Sequence, residues 1–214
     1  SMPVTKTGIH FLFLSSCSAS TQNVYLTGTS VWRNNYGFLP GQLYGFLGFF
    51  LALTIVYAIL FAVWTMLVVV NFDHVHTLQK FVTVCLFAAF VCSLLWYLAY
   101  RMYNANGVRP NNFLWFVVLA DTFRKLMSRV LVLLVSLGYG VTTLSLPSNT
   151  WLLVGASSLA YYISTAVATI VTRVVYLSEP LSVGAKVALV LPEAVMNGVI
   201  FTWILVALQV LPLS

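Results

Sequence analysis

Four charged residues lie close together in an otherwise apolar stretch near the middle of the chain. The chain of 214 residues has ten Lys or Arg and four Asp or Glu residues. Four of these charged residues are Asp121, Arg124, Lys125 and Arg129. Asp121 precedes Arg124 by three residues and Lys125 by four, and side chains at these spacings pair on one helix. Because one carboxylate cannot neutralise three cations, the cluster predicts a polar site with excess positive charge, suited to an anionic group.

These residues, together with Ser128, form a single stripe on the predicted helix. At 100° per residue they fall within an arc of about 140°. A Lys or Arg at the centre of a membrane helix costs about 2.5–3.5 kcal/mol on insertion scales. We therefore expect the stripe to face the bundle interior, a wet cavity or the headgroups rather than lipid chains.

Glu193 is the best candidate for a second counter-charge. It follows Pro192 and is the other acidic residue inside an apolar span, with Asn197 one turn further on. Two roles for the charged residues stay open at this point. They could hold helices to one another or reach an interface, or they could line a site for a ligand, a lipid headgroup or an ion.

The overall composition is that of a membrane protein. Hydrophobic residues make up 61% of the chain and charged residues only 7%, whereas soluble domains carry about 25% charged residues. The net charge of +6 comes from basic residues scattered over loops and one helix, without a basic run. A nucleic-acid partner is therefore not expected.

Apolar runs predict an all-α polytopic membrane bundle with five transmembrane helices. Residues 1–40 are predicted to be a short β remnant and linker, with strands at 8–15 and 24–32 that would end a soluble β domain; a disordered leader is the alternative. The transmembrane helical domain covers 41–214, with helices at about 43–70, 78–100, 113–140, 150–175 and 183–211.

No arrangement of residues predicts catalysis or a cofactor, and none is a strong candidate for a bound metal. The chain lacks the motifs of serine hydrolases, zinc proteases and phosphate loops, so an enzyme is not expected. His74 and His76 form a His-x-His pair in a polar loop, a weak candidate for metal binding or pH sensing. All cysteines are expected to be free: Cys17, Cys85 and Cys92.

Two stretches resemble a known family. The first is Tyr36-Gly37-Phe38-Leu39, directly before the first helix. The second runs from Lys125 to Gly140, with a basic pair, an Arg, an apolar segment and the ending Val-Ser-Leu-Gly-Tyr-Gly. Both are similar to the GOST family, also called lung seven-transmembrane receptor-like, and most similar to its transmembrane protein 87 branch. The motif residues are Tyr36, Gly37, Ser136, Gly138, Tyr139 and Gly140.

The resemblance implies a GOLD-type lumenal β domain followed by seven transmembrane helices. It implies that residues 1–33 are the last strands of that domain, that the chain is a partial copy and that the N-terminus is lumenal. The charge count of the loops instead leans weakly toward an N-terminus inside. This chain also departs from the branch, because the acidic residue of the third helix would stand opposite Val118, one turn before Asp121.

The resemblance also implies a role in membrane trafficking at the Golgi or endosomal membranes. The leading hypothesis is a cargo- or lipid-binding chaperone or receptor, with membrane lipid and a lipidated or transmembrane cargo protein as partners. An ion channel or channel regulator is the first alternative, because an inward-facing basic ring would favour anions. A seven-helix receptor-like signalling protein is the second.

Overall fold

The computed structural model describes residues 31–71, 77–139, 147–172 and 183–210. The chain divides into two compact units, Ser1–Trp32 and Arg33–Ser214, and all the described helices belong to the second. The predicted strand at 8–15 lies outside the described residues, as does nearly all of the strand at 24–32. The loop that holds His74 and His76 lies outside them as well.

The second unit is all-helical over its described residues, as the sequence predicts. The five helices are α1 (Gly41–Val70), α2 (Thr77–Asn106), α3 (Asn111–Ser136), α4 (Ser148–Ile170) and α5 (Val183–Val210). Most boundaries lie within two residues of the prediction, and α4 ends at Ile170 rather than at about 175. The ends of α2 and α3 differ as well. Helix α2 continues for six residues beyond Tyr100, and α3 ends at Ser136 rather than at the second glycine of its Gly-Tyr-Gly sequence.

Four of the described helices are long and apolar enough to cross a membrane: α1, α2, α4 and most of α5. Helix α3, predicted as a fifth span, is not among them. Its 26 residues reach about 39 Å at 1.5 Å per residue, which is long enough. The four charged residues of its central turns set it apart, and they are the reason that apolar composition alone does not identify it as a span.

Helix α3 lies at the centre of the bundle and packs against α2, α4 and α5. The best-packed part of the core joins α2 to the first half of α3, where Trp96 and Ala99 contact Leu114, Val117 and Val118. Val117 and Val118 are completely buried. The outer faces of the helices carry exposed aliphatic side chains, such as those of α1, as expected of surfaces that contact lipid.

The glycines of α1 do not make the close helix contact that their spacing indicates. Gly41, Gly45 and Gly48 share one face at the spacing of small-residue interfaces. A methyl group added at Gly45 or Gly48 would meet no atom within 4 Å. Among the described residues, no helix packs on this face.

Helix α3 ends in a Schellman motif, which explains its early stop. Gly138 adopts a left-handed backbone with φ +74°. Its amide donates to Val135 O at 3.0 Å, and the amide of Tyr139 donates to Leu134 O at 3.1 Å. These bonds satisfy the last carbonyls of the helix, and glycine is the residue that pays no steric cost in this conformation.

Replacing Gly138 by alanine is therefore expected to destabilise the protein by about 1 kcal/mol, because a Cβ disfavours the left-handed region. Gly155→Ala is the matched control, since Gly155 lies in α4 with no atom within 4 Å of an added methyl group. Thermal unfolding in detergent compares the two. An equal melting temperature for both variants would contradict the prediction.

The segment before α1 is held against the end of α2 by one side chain, Asn104. Its Nδ2 donates to Tyr36 O at 2.8 Å, and its Oδ1 accepts from the amide of Leu39 at 3.1 Å. Its backbone oxygen accepts from the amide of Phe38 at 3.1 Å. These three bonds form what we call the Asn104 clasp.

The clasp fits closely around two glycines. Gly37 has φ +131°, and a Cβ there would lie 2.6 Å from Asn104 Cγ. Gly107, with φ +71°, lets the chain leave α2 beside the ring of Phe38. Leu39, the last residue of the Tyr-Gly-Phe-Leu motif, is completely buried. We call Tyr36–Leu39 the strap. Its contacts with Asn104 fix the position at which α1 begins.

Candidate functional site

The charged stripe of α3, defined as Asp121, Arg124, Lys125, Ser128 and Arg129, contains the two ion pairs that its spacing predicts. Arg124 Nη2 donates to Asp121 Oδ1 at 2.9 Å, and Arg124 Nε donates to the same oxygen at 3.2 Å. Lys125 Nζ lies 3.3 Å from the other oxygen, Asp121 Oδ2. One carboxylate is therefore shared between two cations, and the group of three keeps one positive charge.

The stripe continues the face of α3 that packs into the bundle. Lys125 follows the fully buried Val118 by seven residues, which returns it to nearly the same side of the helix. The Asp121 side chain is 14% exposed, whereas that of Lys125 is 35% exposed. Ser128 is exposed and donates to Lys125 O at 2.9 Å. The stripe thus runs from the packed core toward an open side of the bundle.

Arg129 contacts an aromatic ring instead of a carboxylate. Its guanidinium carbon lies 5.1 Å from the ring centroid of Tyr161 on α4, and Tyr161 is 1% exposed. A cation–π contact of this kind offsets part of the cost of desolvating the charge. It does not use the guanidinium N–H donors, which match carboxylate and phosphate geometry. Arg129 forms no ion pair with any described residue.

Arg129 is also nearer to the end of α3 than the sequence predicts. A helix running to Gly140 would place it about 18 Å from the end, at 1.5 Å per residue. Because α3 ends at Ser136, the eight residues from Arg129 to Ser136 span only about 12 Å on the same count. This depth is one that a long arginine side chain can bridge toward a headgroup region.

Glu193 does not join the stripe. It is half-buried on α5, but it forms no ion pair with any described Lys or Arg side chain, so the structure does not bring it together with Arg129. Asn197, one turn further along α5, keeps a buried Oδ1 without a hydrogen-bond partner among the described residues. The predicted counter-charge role of Glu193 is therefore not seen.

Two residues of α4 belong to the site and were not singled out from the sequence. The ring of Tyr161 contacts the guanidinium of Arg129. Thr165 lies four residues further, on the same face of the helix. Thr165 is completely buried, and its hydroxyl has no hydrogen-bond partner among the described residues. Buried polar groups are normally paired with protein, water or a ligand, so the α3–α4 contact contains unused hydrogen-bonding capacity near the stripe.

The motif residues of the sequence have structural roles at the two ends of the bundle. Tyr36 and Gly37 lie in the Asn104 clasp, and Tyr36 also packs on the ring of Tyr44 at 4.1 Å between centroids. Ser136 is buried and bonds Leu133 O at 2.8 Å. Tyr139 meets Trp151 edge-on at 5.6 Å, which holds the Schellman turn against α4. Gly140 lies outside the described residues.

The cysteines of α2 are free, as predicted. Cys92 is buried and Cys85 half-buried, whereas Cys17 lies outside the described residues. No group of three or more His, Cys, Asp or Glu side chains that could hold a metal ion occurs within the described part of the chain.

Comparison with known proteins gives consistent matches. The family model "GOST, seven transmembrane domain" matches residues 46–210, a range that includes most of α1 and all of α2, α3, α4 and α5. Transmembrane protein 87B of Mus musculus is 24% identical over 137 residues, which are 64% of this chain and 25% of the relative. Transmembrane protein 87A of Xenopus tropicalis is 24% identical over 116 residues, which are 54% of this chain and 21% of the relative.

The matched region contains the charged stripe and the second of the two sequence motifs. The chain spans about a quarter of the length of the curated relatives it matches. Its apolar helices and the family domain agree that it is a multi-pass membrane protein. The chain belongs to the GOST family of proteins with a seven-transmembrane domain, within which it is similar to the transmembrane protein 87 branch.

Proposed function

We propose that this chain acts in membrane trafficking at the Golgi or endosomal membranes, as a lipid- or cargo-binding chaperone or receptor rather than as an enzyme. Its partners would be membrane lipid and a lipidated or transmembrane cargo protein. The N-terminus would face the lumen, as the family resemblance implies. In this proposal the charged stripe of α3 holds the anionic group of the lipid or cargo.

The observation that carries the proposal is the state of Arg129. It is a half-buried cation that lies over a buried tyrosine ring and forms no ion pair with any described residue. A protein places such a charge in an apolar helix at considerable cost, and intramembrane charges most often mark functional sites. The guanidinium fork fits a phosphate or a carboxylate, and the orphaned hydroxyl of Thr165 adds a polar group one helical turn from Tyr161.

We expect Arg129→Leu to reduce the anionic phospholipid or lipidated cargo that co-purifies with the protein by about tenfold or more. The reason is that a hydrogen bond to a charged group is worth about 1.5–3 kcal/mol, and every 1.4 kcal/mol is about a tenfold change in affinity. Mass spectrometry of the bound lipids after mild detergent extraction measures the effect.

Arg101→Leu is the matched control, because it removes the same charge from an exposed position on α2 outside the stripe. It should leave lipid and cargo retention unchanged. A second variant, Arg124→Leu with Lys125→Leu and Arg129→Leu, removes all cations of the stripe. If both stripe variants retain as much lipid and cargo as the wild type, the proposed role of the stripe is contradicted.

A further inference from the structure

The charged stripe of α3 carries two positive charges that no described carboxylate balances. Arg124 and Lys125 share the single carboxylate of Asp121, which leaves one charge on that group. Arg129 adds a second charge, because it contacts the ring of Tyr161 and forms no ion pair with any described residue. An anion with one charge would therefore neutralise half of the excess, whereas a dianion would neutralise all of it.

The cations that can address such an anion lie one helical turn apart. Lys125 and Arg129 are separated by four residues, which is about 6 Å along α3. Like charges at this spacing repel each other. An anion between them replaces the repulsion by two attractions, because it can accept a charge-assisted hydrogen bond of about 2.8 Å from each side. The Lys125 ammonium group has three donors, and the contact with Asp121 at 3.3 Å uses one of them.

The register of α4 against this part of α3 follows from two contacts. Tyr139 meets Trp151, and Arg129 meets Tyr161. From the first contact to the second, the chain moves ten residues back from the Schellman turn into α3 and ten residues forward along α4. The two helices therefore run antiparallel with little slip, and each turn of α3 toward its start is matched by one turn of α4 toward its end.

This register brings an unused hydroxyl group to the level of the stripe. Lys125 lies four residues before Arg129, and Thr165 lies four residues after Tyr161, so Lys125 and Thr165 are at the same level. Thr165 is completely buried, and its hydroxyl has no hydrogen-bond partner among the described residues. A hydroxyl can donate to an anionic oxygen. A bound anion would thus give Thr165 the partner that buried polar groups normally have.

The charge and the donors together favour a phosphomonoester over the other anions of membranes. A terminal phosphate carries about −1.5 to −2 charges at pH 7 and has three strong acceptor oxygens. Its charge matches the excess on the stripe, and its three oxygens match one ammonium, one guanidinium and one hydroxyl donor. A phosphodiester or a carboxylate has a single negative charge shared by two oxygens, so it leaves part of the stripe uncompensated.

We propose that the charged stripe selects a phosphomonoester, with the phosphate between Lys125 and Arg129 and one of its oxygens accepting from the Thr165 hydroxyl. The inference rests on the proposed function, because it names the class of anion that the stripe holds. The same phosphate group occurs in lipids such as phosphatidic acid and in soluble phosphate esters, so the test includes both sources.

The test is equilibrium binding of tritiated dioctanoyl phosphatidic acid to the purified protein in a neutral detergent. Dioctanoyl phosphatidylglycerol has the same acyl chains on a phosphodiester, and we expect it to compete at least tenfold more weakly, the equivalent of losing one charge-assisted hydrogen bond. Glycerol 3-phosphate separates the two sources. Weaker competition than by phosphatidic acid identifies the ligand as a lipid, and equal competition identifies a soluble ester; both results support the phosphomonoester class.

Two variants test the residues that confer the preference. Lys125→Gln should lower the affinity for phosphatidic acid about tenfold or more and change that for phosphatidylglycerol much less, while Asp121 stays paired with Arg124. Thr165→Val keeps the shape of the buried side chain and removes the hydroxyl. It should lower the affinity for phosphatidic acid about tenfold without lowering the melting temperature. Lys80→Gln is the matched control, because Lys80 is exposed on α2 outside the stripe, and it should bind like the wild type.

The outcomes separate this inference from the proposed function. If the wild type binds both lipids equally and Arg129→Leu loses both, the phosphomonoester class is overturned and the proposed function stands. If the wild type binds neither lipid, or if Arg129→Leu binds both as the wild type does, the proposed function fails and the inference fails with it. An unchanged preference in Lys125→Gln and Thr165→Val would overturn the assignment of these donors. Size-exclusion chromatography establishes that each variant is folded, and Thr165→Val keeps the test valid if Lys125→Gln aggregates.

Discussion

Replacing Asp121 by leucine is expected to destabilise the protein by about 2–3 kcal/mol. Removing one partner of a fully buried ion pair costs about 3–5 kcal/mol, and solvent screens part of that loss here because Arg124 and Lys125 are 31% and 35% exposed. Asp121 is the shared acceptor for Arg124 at 2.9 Å and Lys125 at 3.3 Å. Without it, both cations stay on an inward-facing part of α3 with no counter-charge among the described residues. For a domain of this size the melting temperature should fall on the order of 10 °C.

The measurement is thermal unfolding in detergent, together with the fraction of protein that elutes as a single species. Asp121→Glu keeps a carboxylate on the helix and should recover most of the stability. The more informative control is the triple variant Asp121→Leu, Arg124→Leu and Lys125→Leu, which removes the cations together with their partner. It should be more stable than Asp121→Leu alone, because replacing a whole buried ion group by apolar residues is often neutral or stabilising. Equal instability of the two would show that the loss has another cause.

Replacing Gly37 by valine is expected to displace the strap before α1 and to destabilise the protein by about 3 kcal/mol. A branched residue at φ +131° carries a backbone penalty of about 1–3 kcal/mol. Its Cβ would also lie 2.6 Å from Asn104 Cγ, so the clasp has to open. The amide of the buried Leu39 then loses its acceptor, which costs roughly a further 1–3 kcal/mol.

Hydrogen exchange at the amide of Leu39 reports on the clasp directly, and thermal unfolding gives the total cost. Gly45→Val is the matched control, since Gly45 lies eight residues further on, in the second turn of α1, and has no atom within 4 Å of an added methyl group. Asn104→Ala should produce the same rise in exchange at Leu39 without a clash. Adding Gly37→Val to Asn104→Ala should then cost less than Gly37→Val alone. Unchanged protection of Leu39 in Gly37→Val would contradict the assignment of the clasp.

The sequence by itself determined those features that depend on neighbours along the chain. Apolar runs and breaker residues predicted the five helices, because a helix that crosses the bilayer needs about 20 mainly apolar residues. The ion pairs of Asp121 followed from spacings of three and four residues, which bring side chains together whatever the surrounding structure. The family resemblance could also be read directly from the sequence, and the family model that matches residues 46–210 confirms the family.

The helix ends were predicted less well, because ends depend on which carbonyls find partners. Helix α2 continues to Asn106, where Asn104 is needed for the clasp and Gly107 provides the turn. Helix α3 stops at Ser136, because the first of two nearby glycines completes the Schellman motif. For α3, Gly138 and Gly140 are both possible stop residues, and the bonds from the amides of Gly138 and Tyr139 end the helix at the first of them.

Only the tertiary structure decided which distant residues meet. Asn104 bonds Leu39 across 65 positions of sequence, and the guanidinium of Arg129 lies over Tyr161 of the next helix rather than reaching Glu193. A cavity of about 460 Å³ likewise combines side chains of α1, α2 and α3, among them Leu43, Trp96 and Leu114. Helical periodicity tells which residues share a face, but it contains no information about which faces of two helices pack together. Which faces pack together depends on the shapes and charges of both helices. The sequence alone predicted the charged stripe, and the packing of α3 on α4 determined which residues surround it.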